Sequence, residues 1–131
     1  MNKFAFHKME NVRGKISFYR LEMDGVILIE EFENGLETLY EGQLATMNFY
    51  MDRIANMQLL PHAKFHSLDK EKEKTGTFEF KTKHLRIYGM SLSGGKIIIL
   101  GGIKGTGQDQ DIKKVKQIAT AIKQQKISLN G

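Results

Sequence analysis

Apolar and polar positions along the second half of the chain predict three strands followed by one helix. Runs with strand character cover residues 77–80, 85–92 and 96–103, and the glycine pair at 94–95 predicts a tight turn between the last two. From about residue 109 to 125 the apolar spacing becomes helical, which predicts a helix with one buried side. The apolar positions on that side are Ile112, Val115, Ile118 and Ile122.

The first half of the chain predicts one or two strands and then two helices. Residues 16–22 form a strand candidate, and a Met-Asp-Gly turn signal before the apolar residues 26–29 favours a hairpin. Helical spacing then covers residues 30–40 and, after a break at Gly42, about 43–58. The short link predicts an antiparallel αα-hairpin, and we interpret the Met-rich stripe of its second helix as core.

These elements predict a single α+β domain over residues 1–131. Pro61 ends the second helix, and residues 62–76 read as a polar connector, either an exposed loop or a solvated strand edge. The order β(β)ααβββα favours helices packed on an antiparallel sheet. Residues 1–14 are treated as an N-terminal extension to which no element is assigned.

Charge is distributed unevenly along the chain. The formal net charge is +5, yet residues 1–40 carry five basic and seven acidic residues, whereas residues 61–131 carry fourteen and six. Such asymmetry favours a polyanionic partner, nucleic acid first. The absence of cysteine excludes a disulfide framework and a thiol nucleophile. No apolar run approaches the roughly 18 residues of a membrane span, so we expect a cytoplasmic protein without membrane association.

One predicted hairpin collects residues suited to RNA chemistry. His84, Arg86 and Tyr88 alternate along its first strand, and the two-residue period predicts a shared face. They offer a proton-transfer group, a phosphate-binding cation and an aromatic ring for base stacking. RNA transesterification needs a base, cations on the phosphate and a donor to the leaving oxygen, and it can proceed without a metal. Further cations lie on or beside the same hairpin, namely Lys81, Lys83, Lys96 and Lys104.

Two other patterns give less support for a function. His62 and His66 are four residues apart, but Pro61 precedes them and no other ligand is near in sequence, so we expect no metal and no cofactor. The loop GGIKGTG at residues 101–107 offers backbone amides to an anion but lacks the order of a phosphate-binding loop. Anion or nucleotide binding is therefore a third, weaker hypothesis.

Residues 16–124 resemble the RelE-superfamily toxins, specifically the HigB-like group that includes phage-derived Gp49-like proteins. FYRLEMDGVILIEEFENGL is similar to the family's opening strand, turn and first helix, and KHLRIYG contains its Leu-Arg-Ile strand motif. IIILGGIKGTGQDQDIKKVKQIATAI is similar to the last strand, lysine-bearing loop and closing helix. The resemblance implies a RelE-like fold, an antiparallel sheet with an N-terminal αα-hairpin and a C-terminal helix packed on it.

The resemblance also implies a function. Its members are toxins of toxin–antitoxin systems that act as ribosome-associated, metal-independent mRNA endoribonucleases, so the expected partners are mRNA on the ribosome and a cognate antitoxin. Together with the hairpin pattern it predicts the following site: Arg86 and Lys104 on the phosphate, His84 or Lys83 as the proton-transfer group, and Lys81, Tyr88 and Lys96 as further RNA contacts.

Two departures from the family pattern motivate a competing hypothesis. Lys96 stands where the family often has a second arginine, and Lys104 is followed by Gly-Thr where the family usually has Lys-Thr. Lysine cannot reproduce the bidentate grip of arginine on phosphate. The alternative is a non-catalytic RelE-like module that binds RNA or a protein partner.

Overall fold

The computed structural model describes residues 1–127 and 129 and shows an α+β fold in which three α-helices pack on one mixed, six-stranded sheet. The strands are β1 (Phe4–Lys8), β2 (Phe18–Met23), β3 (Phe65–Ser67), β4 (Thr77–Lys81), β5 (Leu85–Leu92) and β6 (Gly95–Ile103). The helices are α1 (Leu28–Asn34), α2 (Glu41–Ala55) and α3 (Gln108–Gln124), with a 3-10 turn at Thr38–Tyr40. The strand order across the sheet is β1-β2-β6-β5-β4-β3.

The sequence predicted an antiparallel sheet, whereas the observed sheet is mixed. β2 runs parallel to β6, and the other neighbouring strands are antiparallel. The chain leaves β2 through α1 and α2 on one face and builds the β3–β4–β5–β6 meander before it returns to the side of β2. A long crossover of this kind is what allows two strands to pair in parallel.

The N-terminal extension belongs to the domain. It supplies β1, which pairs with β2, and it buries Met9 and Val12 in the core. Because β1 and β6 occupy both edges of β2, no edge remains for residues 26–29, and their prediction as a hairpin strand is wrong. The predicted turn does form, with positive φ at Asp24 and Gly25, but the chain then passes directly into α1.

The two faces of the sheet are covered by different helices. α1 and α2 pack on one face over a core that includes Phe18, Phe80 and Ile87, and α3 packs on the other over a core that includes Leu21 and Met90. A bulge between β5 and β6 shifts the register at Tyr88/Gly89, so consecutive residues of β6 can face α3. The buried residues of α3 are Val115, Ile118, Ala119 and Ile122, and Ile112 is partly buried beside them, as the helical spacing predicted.

The helices of the first half differ from prediction at their ends. α1 ends at Asn34 with Gly35 as its C-cap, and Leu39, predicted inside a helix, is 67 % exposed. Gly42 lies within the first turn of α2 instead of breaking it. α1 lies over β2 and β6, whereas α2 lies over β4 and β5. The sheet therefore holds both helices, and the antiparallel αα-hairpin stays a prediction.

Candidate nucleic-acid interface

Most of the predicted cations meet at the end of the sheet where β5 begins and β6 ends. Residues 82–84 turn the chain from β4 into β5, and a second turn follows β6. The backbone N–H of Lys104 in this second turn donates to the carbonyl of His84 at 2.8 Å, and Arg86 pairs with Gly102 across the strands. We call the resulting surface the basic edge, which comprises Lys81, Lys83, His84, Arg86 and Lys104.

Exposed lysines flank His84 on both sides of this edge. Lys83 precedes it in the same turn and Lys104 lies across from it, and both side chains are exposed. Lys64, which was not predicted, joins the same end because its carbonyl accepts a 2.9 Å hydrogen bond from the backbone of Lys81. Clustered exposed cations of this kind supply salt-dependent affinity for a phosphate backbone.

Gln43 of α2 holds the turn that carries His84. Its Oε1 accepts from the hydroxyl of Thr82 at 2.6 Å and from the backbone N–H of His84 at 2.8 Å. Its Nε2 lies 2.8 Å from His84 Nδ1. The ring of Tyr40, with its centre 5.5 Å from that of His84, adjoins the same imidazole. Sequence reasoning missed Gln43 and Tyr40, because nothing local marks a glutamine 41 residues away as the partner of a histidine.

Arg86 supports the basic edge from inside. Only 7 % of the residue is exposed, and its Nη1 donates to the carbonyls of Thr82 at 2.7 Å and Leu85 at 2.8 Å. Its buried Nε has no partner among the described residues. This guanidinium is thus engaged through Nη1 with the backbone of the turn beside His84, and its role as a phosphate-binding cation stays a prediction.

Tyr88 cannot stack on a base as predicted, because it is completely buried (0 % exposed) in the core under α3. Burial raises the pKa of its hydroxyl, and the nearby carboxylates of Glu79 and Asp111 add to this increase. The predicted shared face is also only partly right. Arg86 and Tyr88 are two apart on β5, but His84 precedes the strand and its ring lies against α2.

Lys96 lies at the other end of the hairpin from the basic edge. It pairs with Ser91, five residues along β5 from Arg86, and its Nζ donates to the Ser91 hydroxyl at 2.7 Å. The ammonium lies 5.1 Å from the ring centre of Phe78 and 5.9 Å from that of Phe65, and burial lowers the pKa of Lys96. The structure therefore does not bring Lys96 together with the other predicted cations, and its role as an RNA contact stays a prediction.

A second group of polar residues crosses β3, β4 and β5 in register. We call His66, Glu79 and Tyr88 the polar row. Nε2 of His66 lies 3.2 Å from Oε1 of Glu79, which is 4 % exposed, and Nδ1 of His66 lies 3.2 Å from the carbonyl of His62. Glu79 Oε2 and the Tyr88 hydroxyl are buried without a partner among the described residues. β3 itself lies in the stretch predicted as a polar connector, beside a groove of about 990 Å³ between residues 66–75 and α3.

No family model, no curated protein and no solved structure matches this chain. Within residues 1–127 and 129, no helix has the length and apolar character needed to cross a bilayer. The same described residues contain no group of three or more His, Cys, Asp or Glu side chains arranged to hold a metal ion. A function for the protein must therefore be argued from the geometry of the basic edge.

Proposed function

We propose that the protein binds RNA at the basic edge and is the toxin of a toxin–antitoxin system, a RelE-like, ribosome-associated mRNA endoribonuclease that needs no metal. In this proposal α1 and α2 correspond to the αα-hairpin of the family and α3 to its C-terminal helix. The partners are mRNA on the ribosome and a cognate antitoxin, and the protein acts in the cytoplasm.

The observation that carries the proposal is the position of His84 between exposed cations. Lys83 is its neighbour in the turn, and the backbone of Lys104 is bonded to its carbonyl at 2.8 Å. Nε2 of the half-buried imidazole has no hydrogen-bond partner among the described residues, and so it can bind a ligand. A ligand can therefore meet an imidazole nitrogen and two ammonium groups at one surface.

This arrangement suits the charge that develops in phosphoryl transfer. Lys104 lies where it can attract the phosphate, and electrostatic stabilisation usually contributes more than any other effect to catalysis of this type. Arg86 acts here as a positioning residue, because its hydrogen bonds hold the turn. Lys83 or His84 would take the proton of the 2′-hydroxyl, as the sequence predicted.

Induced expression in bacteria with mapping of mRNA 5′-ends tests the proposal. Wild type should arrest growth and create new, translation-dependent 5′-ends. Lys104→Ala should lose both effects, whereas Lys113→Ala, which removes an equally exposed lysine from α3, should retain them. Unchanged 5′-ends with soluble wild-type protein would contradict the endoribonuclease proposal. A gene for a small helix-turn-helix protein beside this one would support the antitoxin.

The second candidate function is a non-catalytic RelE-like module that binds RNA or a protein partner. It is favoured because the side chains of Arg86 and His84 already form hydrogen bonds within the protein. Arg86 is bonded to backbone carbonyls, and Nδ1 of His84 is bonded to Gln43. Salt-sensitive RNA binding without cleavage, including on translating ribosomes, would support this candidate over the nuclease.

A further inference from the structure

We infer that Gln43 sets the tautomer of His84, so that Nε2, the ring nitrogen without a partner among the described residues, carries the proton and acts as a hydrogen-bond donor. The deciding contact joins one imidazole and one amide, Nδ1 of His84 and Nε2 of Gln43, which lie 2.8 Å apart. This contact gives Gln43 a positioning role that no sequence pattern indicates.

The other contacts of Gln43 fix which of its side-chain atoms is the oxygen. The atom 2.8 Å from the backbone nitrogen of His84 must be an acceptor, since a backbone N–H can only donate. The same atom accepts from the Thr82 hydroxyl at 2.6 Å. Turning the amide over would place its NH2 group against that N–H and lose the bond, so the amide orientation follows from the hydrogen-bond network.

The amide orientation in turn fixes the histidine. The NH2 group of Gln43 can only donate, so Nδ1 of His84 must accept and carries no proton. In the neutral imidazole the proton is then on Nε2.

Hydrogen bonds also fix the position of the His84 ring. A single side chain binds the imidazole, the backbone N–H of His84 and the hydroxyl of Thr82. From the opposite side Arg86 Nη1 binds the carbonyl of Thr82 at 2.7 Å. A donor preorganised in this way loses little freedom when an anion binds to it.

The chemical consequence rests on the proposed function. With its proton on Nε2, His84 binds a non-bridging oxygen of an RNA phosphodiester as a neutral donor. It cannot accept the proton of the 2′-hydroxyl at Nε2 without first losing its bond to Gln43, which leaves Lys83 as the proton acceptor. The 2′-oxygen then bonds to phosphorus as the bond to the 5′-oxygen breaks, and the ammonium of Lys104 donates the proton that the departing 5′-oxygen takes up. Because an ammonium must lose its proton before it can accept one, cleavage should accelerate as pH rises above neutrality.

Long-range ¹H–¹⁵N NMR spectra of the imidazoles, recorded at mildly alkaline pH, test the inference on the intact protein. Wild type should show His84 Nδ1 at the chemical shift of an unprotonated nitrogen and Nε2 at that of a protonated one. In Gln43→Glu, one carboxylate oxygen can keep the bonds to Thr82 and the His84 backbone while the other accepts from Nδ1. Both His84 signals should then move to protonated positions or exchange their shifts.

A protonated Nδ1 in wild type, or an unchanged pattern in Gln43→Glu, would overturn the inference. The signals of His66, which are remote from the substitution, report whether the variant remains folded. Inorganic phosphate, used as the probe, should shift Nε2 and not Nδ1 in wild type, and a shift confined to Nδ1 would also count against it. The expected tautomer in a protein that neither binds nor cleaves RNA would leave this inference intact and overturn only the proposed function.

Discussion

The basic edge and the polar row each contain a histidine, and the two histidines have opposite hydrogen-bond partners. His84 receives a donor from Gln43 at 2.8 Å, which requires an unprotonated Nδ1. His66 faces acceptors on both nitrogens, the carboxylate of Glu79 and the carbonyl of His62, each at 3.2 Å. Each ring nitrogen of His66 therefore lies beside an acceptor, whereas Nδ1 of His84 lies beside a donor. The partners of a histidine, and not its neighbours in sequence, decide what it can do.

The two regions also differ in where their remaining polar atoms point. In the basic edge, the side chains of Lys83 and Lys104 are exposed, and His84 Nε2 has no hydrogen-bond partner among the described residues. In the polar row, Glu79 and Tyr88 are buried with one atom each lacking a partner among the described residues. The basic edge therefore presents charged groups at the surface, whereas the polar row lies between β3, β4 and β5 with its carboxylate and hydroxyl buried.

Of the substitutions that distinguish the polar row from the basic edge, Glu79→Ala should change the free energy of unfolding most. Removing Glu79 takes the acceptor from His66 Nε2 and leaves a cavity in the buried sheet, so the free energy of unfolding should fall by about 3 kcal/mol. Urea unfolding measures it, with Glu79→Gln as the control that keeps an acceptor for His66 and should cost less. A loss below about 1 kcal/mol would show that the pair is not needed.

Arg86→Met should have the next largest effect. The substitution keeps an apolar stem but removes the donor to the carbonyls of Thr82 and Leu85, and hydrogen bonds from a charged group contribute about 1.5–3 kcal/mol. We expect destabilisation of about 2 kcal/mol together with weaker RNA binding, because the turn that carries His84 loosens. Equal stability of Arg86→Met and wild type in urea would contradict the supporting role of Arg86.

The double variant Lys83→Ala/Lys104→Ala should change binding and leave stability nearly unaltered. Each phosphate contact on single-stranded RNA contributes about 0.7 to the slope of log affinity against log salt, so the slope should fall by about 1.4. Substitution of exposed residues should keep the free energy of unfolding within about 0.5 kcal/mol of wild type. Fluorescence anisotropy with a short RNA measures the slope, and Lys113→Ala/Lys114→Ala removes the same charge from α3. A slope that falls equally in that control would show that the lysines of the basic edge are not special.

Tyr88→Phe should change how the free energy of unfolding depends on pH in the alkaline range. Burial, aided by Glu79 and Asp111, raises the pKa of Tyr88 above the ordinary value of 10.0, so the unfolded chain loses this proton first. Wild-type stability is thus fully present below 10.0 and declines as pH rises above it, by up to about 1.4 kcal/mol per pH unit. The variant should lose this part of the decline in urea unfolding across that range. Identical alkaline slopes for the two proteins would contradict the buried, neutral hydroxyl.

Lys96→Met should have the smallest effect of these substitutions, since we expect it to leave RNA affinity unchanged. Lys96 lies at the far end of the hairpin, held by Ser91 and the rings of Phe78 and Phe65. Anisotropy with the same RNA checks it. A loss of affinity comparable to that of Lys104→Ala would return Lys96 to the binding surface.

The local patterns of the second half of the chain were sufficient to predict most of its elements. The β5–β6 hairpin and α3 match the expected residues closely, because strand alternation, a glycine turn and helical spacing are properties of neighbouring residues. β1 and β3 were missed. Each is short, and each becomes a strand only because a longer strand, β2 or β4, offers it an edge, which is information the local sequence does not hold.

The candidate site was predictable as a set of cations but not as a geometry. The positions of Lys83 and Lys104 beside His84 follow from the hairpin, which local sequence indicates. The burial of Arg86 and Tyr88 depends on how the sheet packs with the rest of the chain, and Gln43 reaches His84 from another element. These features arise from tertiary packing, which the two-residue period of a strand cannot encode.

An amide ¹H–¹⁵N titration with a short single-stranded RNA tests most directly the claim that the basic edge is the binding surface. We expect saturable shifts confined to residues 82–86, to Lys104 and its neighbours, and to Gln43, with the signals of His66 and Glu79 unmoved. Shifts centred on the groove between residues 66–75 and α3, or no shifts with the protein folded, would contradict it.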